Sequence, residues 1–266
     1  MALTFLRTFG AGLSVGALLA AEAAQAGAWT QNPGAGQVIS SVSRRAAPIS
    51  SFAGGPADDD ATFTSLFFEY GVIEGLTVGG TVFIEVQSMG SGGNTAELGI
   101  FLRKRFWQGE QGDVAAVQIG AKQPVNDLLG DSFGGPDSDP TQEVSLRLLY
   151  GRGFGFDWGN AFLSTEAGYH LQTDGDDDEL RADITVGAQP WDCCMLLLSA
   201  YGTYPLGDAD GAALKIAPSA TYSFSLFSQT EDESPPKKTT LQLGLSQDLL
   251  NIDEGVGFQF SVWQPF

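Results

Sequence analysis

Ser164, Glu166 and His170 place a hydroxyl, a carboxylate and the chain's single imidazole close together in sequence. These are the side-chain types of an acyl-transfer triad, in which an acid orients the imidazole and the imidazole takes the serine proton. The spacing opposes a triad here. On an extended strand Ser164 and His170 would point the same way but stand about 20 Å apart at the usual rise per residue. An attacking serine would have to come from another strand, and the sequence shows no lipase or deacylase motif. The other reading is that all three are polar residues on one face of a strand. We expect no enzymatic activity, with a lipid hydrolase as the remote alternative.

The run Asp174-Gly175-Asp176-Asp177-Asp178-Glu179 resembles the start of a calcium loop, with oxygen ligands at alternate positions. It has Glu179 where such a loop needs its sixth-position glycine, and Thr185 where it needs a bidentate acid. A solvated acidic hairpin is the expected role. The residual alternative is weak divalent-cation binding through Asp174, Asp176 and Asp178, where the ion could bridge to lipopolysaccharide phosphates. No other metal site and no cofactor is expected. Cysteine occurs only as Cys193-Cys194, too few for a four-ligand zinc site and poorly placed for ordinary disulfide geometry; two free cysteines beside a turn are expected, with a strained vicinal disulfide as the alternative.

The remaining charges have a pattern. Glu97, Arg103 and Arg105 alternate with Leu98, Ile100 and Leu102; Glu143 and Arg147 alternate with Val144, Leu146 and Leu148; Arg181 and Asp183 alternate with Leu180, Ala182 and Ile184. Period-2 alternation recurs between turn signals, with almost no helical periodicity, so the chain reads as all-β. About twelve segments have the length of barrel strands: 37–46, 62–73, 76–88, 95–107, 113–125, 141–154, 159–173, 179–190, 194–205, 212–225, 239–249 and 254–266.

The same alternation would suit a soluble sandwich, with its apolar faces packed together. Three features favour a barrel with its polar face inward. The segments are longer than sandwich strands, which average about 5 to 6 residues. Tight turns near Glu74-Gly75, Asp157-Trp158 and Pro190-Trp191-Asp192 alternate with longer polar loops at 47–61, 126–140 and 174–178. Aromatics gather by the tight turns, namely Phe68, Tyr70, Phe106, Trp107, Phe154, Phe156, Trp158, Trp191, Trp263 and Phe266, as in an interfacial girdle. The expected fold is a single transmembrane antiparallel β-barrel of about twelve strands, with tight turns in the periplasm and long loops outside. The polar stretch 229–238 is long for a periplasmic turn: it is either an insertion or a sign that the strand count is off by a hairpin.

Residues 1–26 carry Arg7, an apolar run and Ala24-Gln25-Ala26, the pattern of a cleaved secretory signal. Residues 27–36 would form a periplasmic N-terminal segment and 37–266 the barrel. The chain's end, with Val256, Phe258, Phe260 and Val262 alternating up to a terminal Phe266, resembles the sorting signal of Gram-negative outer-membrane β-barrels. With the signal and the period-2 strands, it makes the chain resemble such a barrel over its whole mature length. It implies location in the bacterial outer membrane, contact with membrane lipids and lipopolysaccharide, and handling by the barrel-assembly machinery through the C-terminal strand. Gly27-Ala28-Trp29, Gly34 and Gly36-Gln37 also resemble the start of uncharacterised XagA-like barrel proteins, a likeness that implies no activity.

The polar face would line the lumen with Glu69, Glu85, Glu97, Arg103, Arg105, Lys122, Glu143, Arg147, Glu166, His170, Arg181, Asp183, Lys215 and Asp248. Acids and bases nearly balance there, whereas the formal net charge of the chain is -19. The excess acid must therefore sit in the loops: at 58–60, 127–139, 174–179, Asp208 and Asp210. So acidic a chain with no long basic cluster would repel nucleic acid. Two functions remain open. One is a small porin-like channel for hydrophilic solutes or ions, with bases facing acids across the lumen. The other is a closed structural or adhesive barrel, linked to polysaccharide or envelope organisation.

Overall fold

Strands with one apolar and one polar face leave no exposed backbone edge only if their sheet closes on itself. That closure is present in the computed structural model, which describes residues 27–46, 61–87, 95–110, 112–125, 142–173, 177–207, 212–225, 237–250 and 256–266. Among them lie twelve strands: β1 (Gly36–Ala46), β2 (Ala61–Ile73), β3 (Leu76–Gln87), β4 (Thr95–Gln108), β5 (Val114–Pro124), β6 (Glu143–Phe156), β7 (Gly159–Gln172), β8 (Glu179–Trp191), β9 (Cys194–Pro205), β10 (Ala213–Phe224), β11 (Thr239–Asp248) and β12 (Val256–Pro265). Each pairs with its sequence neighbours, and β12 returns to β1 to complete a closed barrel. Every strand end falls within two residues of the segment expected from alternation. The stretch 229–238 falls between β10 and β11, and its residues 229–236 lie outside the described residues.

Closure runs antiparallel from Gln37 opposite Pro265 to Ala46 opposite Val256. Phe266 extends it by one residue: its N–H donates to the Gly36 carbonyl at 2.9 Å, and the Gly36 N–H donates to its carbonyl at 3.1 Å. The Phe266 ring stacks on Tyr70, with centroids 6.5 Å apart and planes 5° from parallel.

The two faces of the wall differ as their side chains require. Ile100 is 62% exposed on the outside, while Arg103, three residues on, is 5% exposed within. Leu98, Leu102, Val144, Leu146, Leu148, Ile184, Leu196, Leu198, Leu243, Phe258 and Phe260 likewise stand exposed on the outer wall. An apolar belt of that size is stable against lipid and not against water. Most of the expected girdle aromatics are exposed too: Phe68, Tyr70, Phe106, Trp107, Phe156, Trp158, Trp191 and Phe266. Trp263 departs from that expectation. It is 6% exposed and pairs in the ladder with Ile39 and Thr240, whose register turns all three inward.

The expected periplasmic segment 27–36 is placed differently. Ala28 and Trp29 are buried inside the barrel, in a cluster with Val114, Ala116, Leu149 and Phe162. The Trp29 ring meets Phe162 edge-on, with centroids 6.0 Å apart. Room for it comes from Gly151, where an added β-carbon would come within 2.5 Å of the indole. The segment is then pinned to β2 by Gly34 N–H to Gly71 O and Gly71 N–H to Ala35 O, each 2.9 Å. Burying an indole inside the barrel is favourable and exposing it to water is not, which draws the segment in.

Candidate functional site

The barrel interior holds the charged residues singled out from sequence, in two tiers. The lower tier lies toward the end with the two-residue turns Glu74-Gly75 and Asp157-Trp158. There Glu69, fully buried, bonds Arg103 at 3.2 Å. The Arg103 guanidinium also donates to the Trp29 carbonyl and to Gln118 Oε1, each at 3.0 Å. Gln31 donates from its side chain to Glu69 Oε1 at 2.5 Å and from its backbone to Thr77 Oγ1 at 2.8 Å. Thus both Glu69 oxygens are satisfied, and the carboxylate and guanidinium together fasten residues 29–31. Arg105 sits at the rim of this end, 3.3 Å from Glu74.

The upper tier surrounds a cavity of about 400 Å³ lined by Phe67, Phe101, Lys122, Arg147, Asp183 and Tyr201 among others. Its ion pairs join strands one or two apart: Lys122 to Glu97 at 3.1 Å, Arg147 to Glu166 at 2.6 Å and, over the intervening β7, Arg181 to Glu143 at 3.0 Å. Asp183 lies directly across the ladder from Glu166. Glu85 and Lys215 point inward nearer the opposite rim, Glu85 beside Phe63 and Lys215 between Tyr201 and Asp248.

The expected arrangement of bases facing acids across the lumen is therefore corrected. Most of the charges form an arc on β2 to β8 and pair along it, because strands one or two apart bring side chains far closer than opposite walls can. Glu179, expected in a solvated acidic loop, opens β8 and receives bonds from Arg181 at 2.6 and 2.8 Å. The other wall, from β9 through β12 to β1, carries mainly hydroxyls and amides. Gln242 donates to Ser219 at 2.8 Å, Gln259 to Ser261 at 3.0 Å, and Ser223 and Thr240 share a bond of 2.8 Å.

Within the triad candidate, His170 is fully buried and its Nδ1 lies 2.7 Å from Glu143, a β6 residue, rather than Glu166. The serine opposite it in the ladder is Ser145, not Ser164. Its Nε2, the atom a general base would use, has no hydrogen-bond partner, so no nucleophile is engaged. Among the described residues no cluster could hold a metal ion. Asp174 and Asp176 lie outside the described residues, as do the signal stretch 1–26 and the acidic loops at 58–60, 127–139, 208 and 210. Asp178 uses its carboxylate locally, accepting from Gln172 N–H at 3.1 Å and bonding the Tyr169 hydroxyl. The two cysteine sulfurs stand 2.8 Å apart as free thiols.

Sequence reading missed Trp29, Gln31, Thr77, Gln118 and Tyr201. One signal was present: the inward positions of β6 pass from Leu149 to Gly151, Gly153 and Gly155, and glycine in a strand marks a close approach by something bulky.

No protein-family model matches the chain, and no curated protein matches it in sequence. Solved structures do resemble it in fold. An outer membrane channel of Pseudomonas putida F1 superposes with a TM-score of 0.57 at 12% identity, over 89% of this chain and 97% of that one. The β domain of the Bordetella autotransporter BrkA gives 0.52 at 12% identity, over 88% and 100%. At such identities the likeness is one of architecture: this chain is a closed twelve-stranded antiparallel barrel of the outer-membrane kind.

Proposed function

We propose that the protein is a small passive channel of the bacterial outer membrane for ions or small hydrophilic solutes, narrowed at its periplasmic end by its own residues 28–31. The observation that carries this is the upper tier: a cavity of about 400 Å³ lined by the charged arc of β2 to β8, inside a barrel whose opposite wall carries hydroxyls and amides and whose outer face is apolar. Such an interior orders water and sets a transverse field for permeating ions. The outer-membrane location rests on that apolar wall and on the even-stranded closed barrel, since only helices and closed barrels can cross lipid. Lipopolysaccharide as the outer-leaflet neighbour, recognition of Phe266 by the assembly machinery and the likeness to XagA-like barrels belong to the same proposal. The buried Trp29 cluster and the Arg103–Glu69 pair favour a second reading, a closed structural or surface barrel.

Conductance in a planar bilayer tests the choice. The native protein should give small unitary currents, and deletion of residues 28–31 should enlarge them severalfold. A folded deletion variant that still carries no current would establish the closed reading.

A further inference from the structure

We propose that processing of the precursor makes a functional group inside the barrel: the α-ammonium of Gly27, which pairs with Glu166 and Asp183 and anchors the lumenal segment at its free end. The inference rests on cleavage after Ala26, as the small-x-small pattern suggests, and does not depend on whether the barrel conducts. Hydrolysis of that peptide bond adds one water, leaves a carboxylate on Ala26, and turns the neutral amide nitrogen of Gly27 into an ammonium.

The surroundings of Gly27 suit that cation. A β-carbon built on Gly27 would lie 3.2 Å from Glu166 Oε2 and 3.5 Å from Ser164 Oγ. Arg147 takes the other carboxylate oxygen of Glu166, Oε1, at 2.6 Å. So the oxygen turned toward Gly27 is the one that the guanidinium leaves. Asp183 adds a second acid directly across the ladder, while the nearby Arg181 bonds Glu179 and Glu143. Of the two acids, Glu166 holds the Arg147 guanidinium, and two carboxylates so placed repel each other. A further cation beside them would restore neutrality, and Gly27 lines the same cavity as both acids. The next two residues, Ala28 and Trp29, are fixed in the barrel interior, which holds the new terminus in place.

The test uses the mature protein isolated from outer membranes and, as probe, an N-hydroxysuccinimide acetate ester at neutral pH, followed by peptide mass spectrometry. The expected N-terminus is Gly27; a different start overturns the proposal. Its α-amine should be acetylated roughly tenfold or more slowly in the folded barrel than after denaturation, the scale of an amine held charged by neighbouring carboxylates. Equal rates overturn it. In the double variant Glu166→Gln, Asp183→Asn, checked for folding by heat-modifiable migration, the protection should be lost; persistence would show burial alone at work and overturn the pairing. Should that variant fail to fold, inserting Ala-Ser between Ala26 and Gly27 moves the amine while keeping both acids. The new terminus should then react at the unprotected rate, and unchanged protection would likewise overturn the proposal.

Discussion

The two walls of the interior solve one problem differently. From β2 to β8 many inward residues are charged and pair with others on the same arc, as Arg103–Glu69, Lys122–Glu97, Arg147–Glu166 and Arg181–Glu143. From β9 through β12 to β1 the inward residues are mainly Ser, Thr and Gln, joined by neutral bonds such as Gln242 to Ser219 and Thr185 of the facing strand to Ser199, 2.9 Å long. The charged wall also holds the N-terminal segment, through Arg103, Glu69, Gln31 and Thr77. A guanidinium can grip a carboxylate and a backbone carbonyl at once, which a hydroxyl cannot do as strongly. The difference suggests that the ionised wall sets both the plug and the field, and the neutral wall supplies wettable surface.

The largest expected effect lies at the foot of the charged wall. Arg103→Ser would leave Glu69 buried without its cation and the Trp29 carbonyl without its donor, at a cost of about 3 to 5 kcal/mol. Adding Glu69→Gln should recover part of it. Urea titration of the refolded barrel measures both, and a loss under about 1 kcal/mol, the size of an exposed pair, would place this tier among the solvated ones.

A control for the wall itself comes next. Leu146→Arg should cost about 2 to 4 kcal/mol if the residue meets the membrane midplane, whereas Thr185→Arg, facing the cavity, should fold nearly as well as the native protein. Inverted sensitivities in the same titration would turn the two faces over and end the comparison.

Higher on the charged wall, Arg147 is partly solvated, so Arg147→Ser should cost about 1 kcal/mol, near the ordinary value for a pair open to water. Its larger signature should be electrical, because Glu166 and Asp183 would then face the cavity with less positive charge and selectivity should move toward cations. Reversal potentials in a salt gradient check this. The smallest effect belongs to the neutral wall: Gln242→Ala removes one hydrogen bond and should cost about 0.5 to 1.5 kcal/mol with unchanged selectivity. A selectivity shift there as large as at Arg147 would dissolve the distinction between the walls.

Much of the architecture is written locally. Alternation of Leu98, Ile100 and Leu102 with Glu97 and Arg103 fixes strand and face together, since a strand's period of two admits no other solution once one face must be apolar. Tight turns such as Glu74-Gly75 set where strands end, and the aromatic-ended β12 marks the closing strand. The inward set from Glu69 to Lys215 follows from the same parity.

Partner choice and filling were left to the tertiary structure. Parity says that Arg103 points inward, but only the stagger of neighbouring strands decides that it meets Glu69 rather than Glu97, and that Arg147 meets Glu166 rather than Glu143. Trp263 reads as a girdle aromatic from its place near the chain end, yet its ladder position beside Ile39 turns it inward. Nor could a short Gly- and Pro-containing stretch declare that it would enter the barrel: Trp29 finds its site beside Gly151, Leu149 and Phe162, residues more than a hundred positions away that closure alone brings together. Local periodicity determined the wall, because each residue's face depends on its immediate neighbours. The contents of the lumen depend on distances across a closed sheet, which no local pattern encodes.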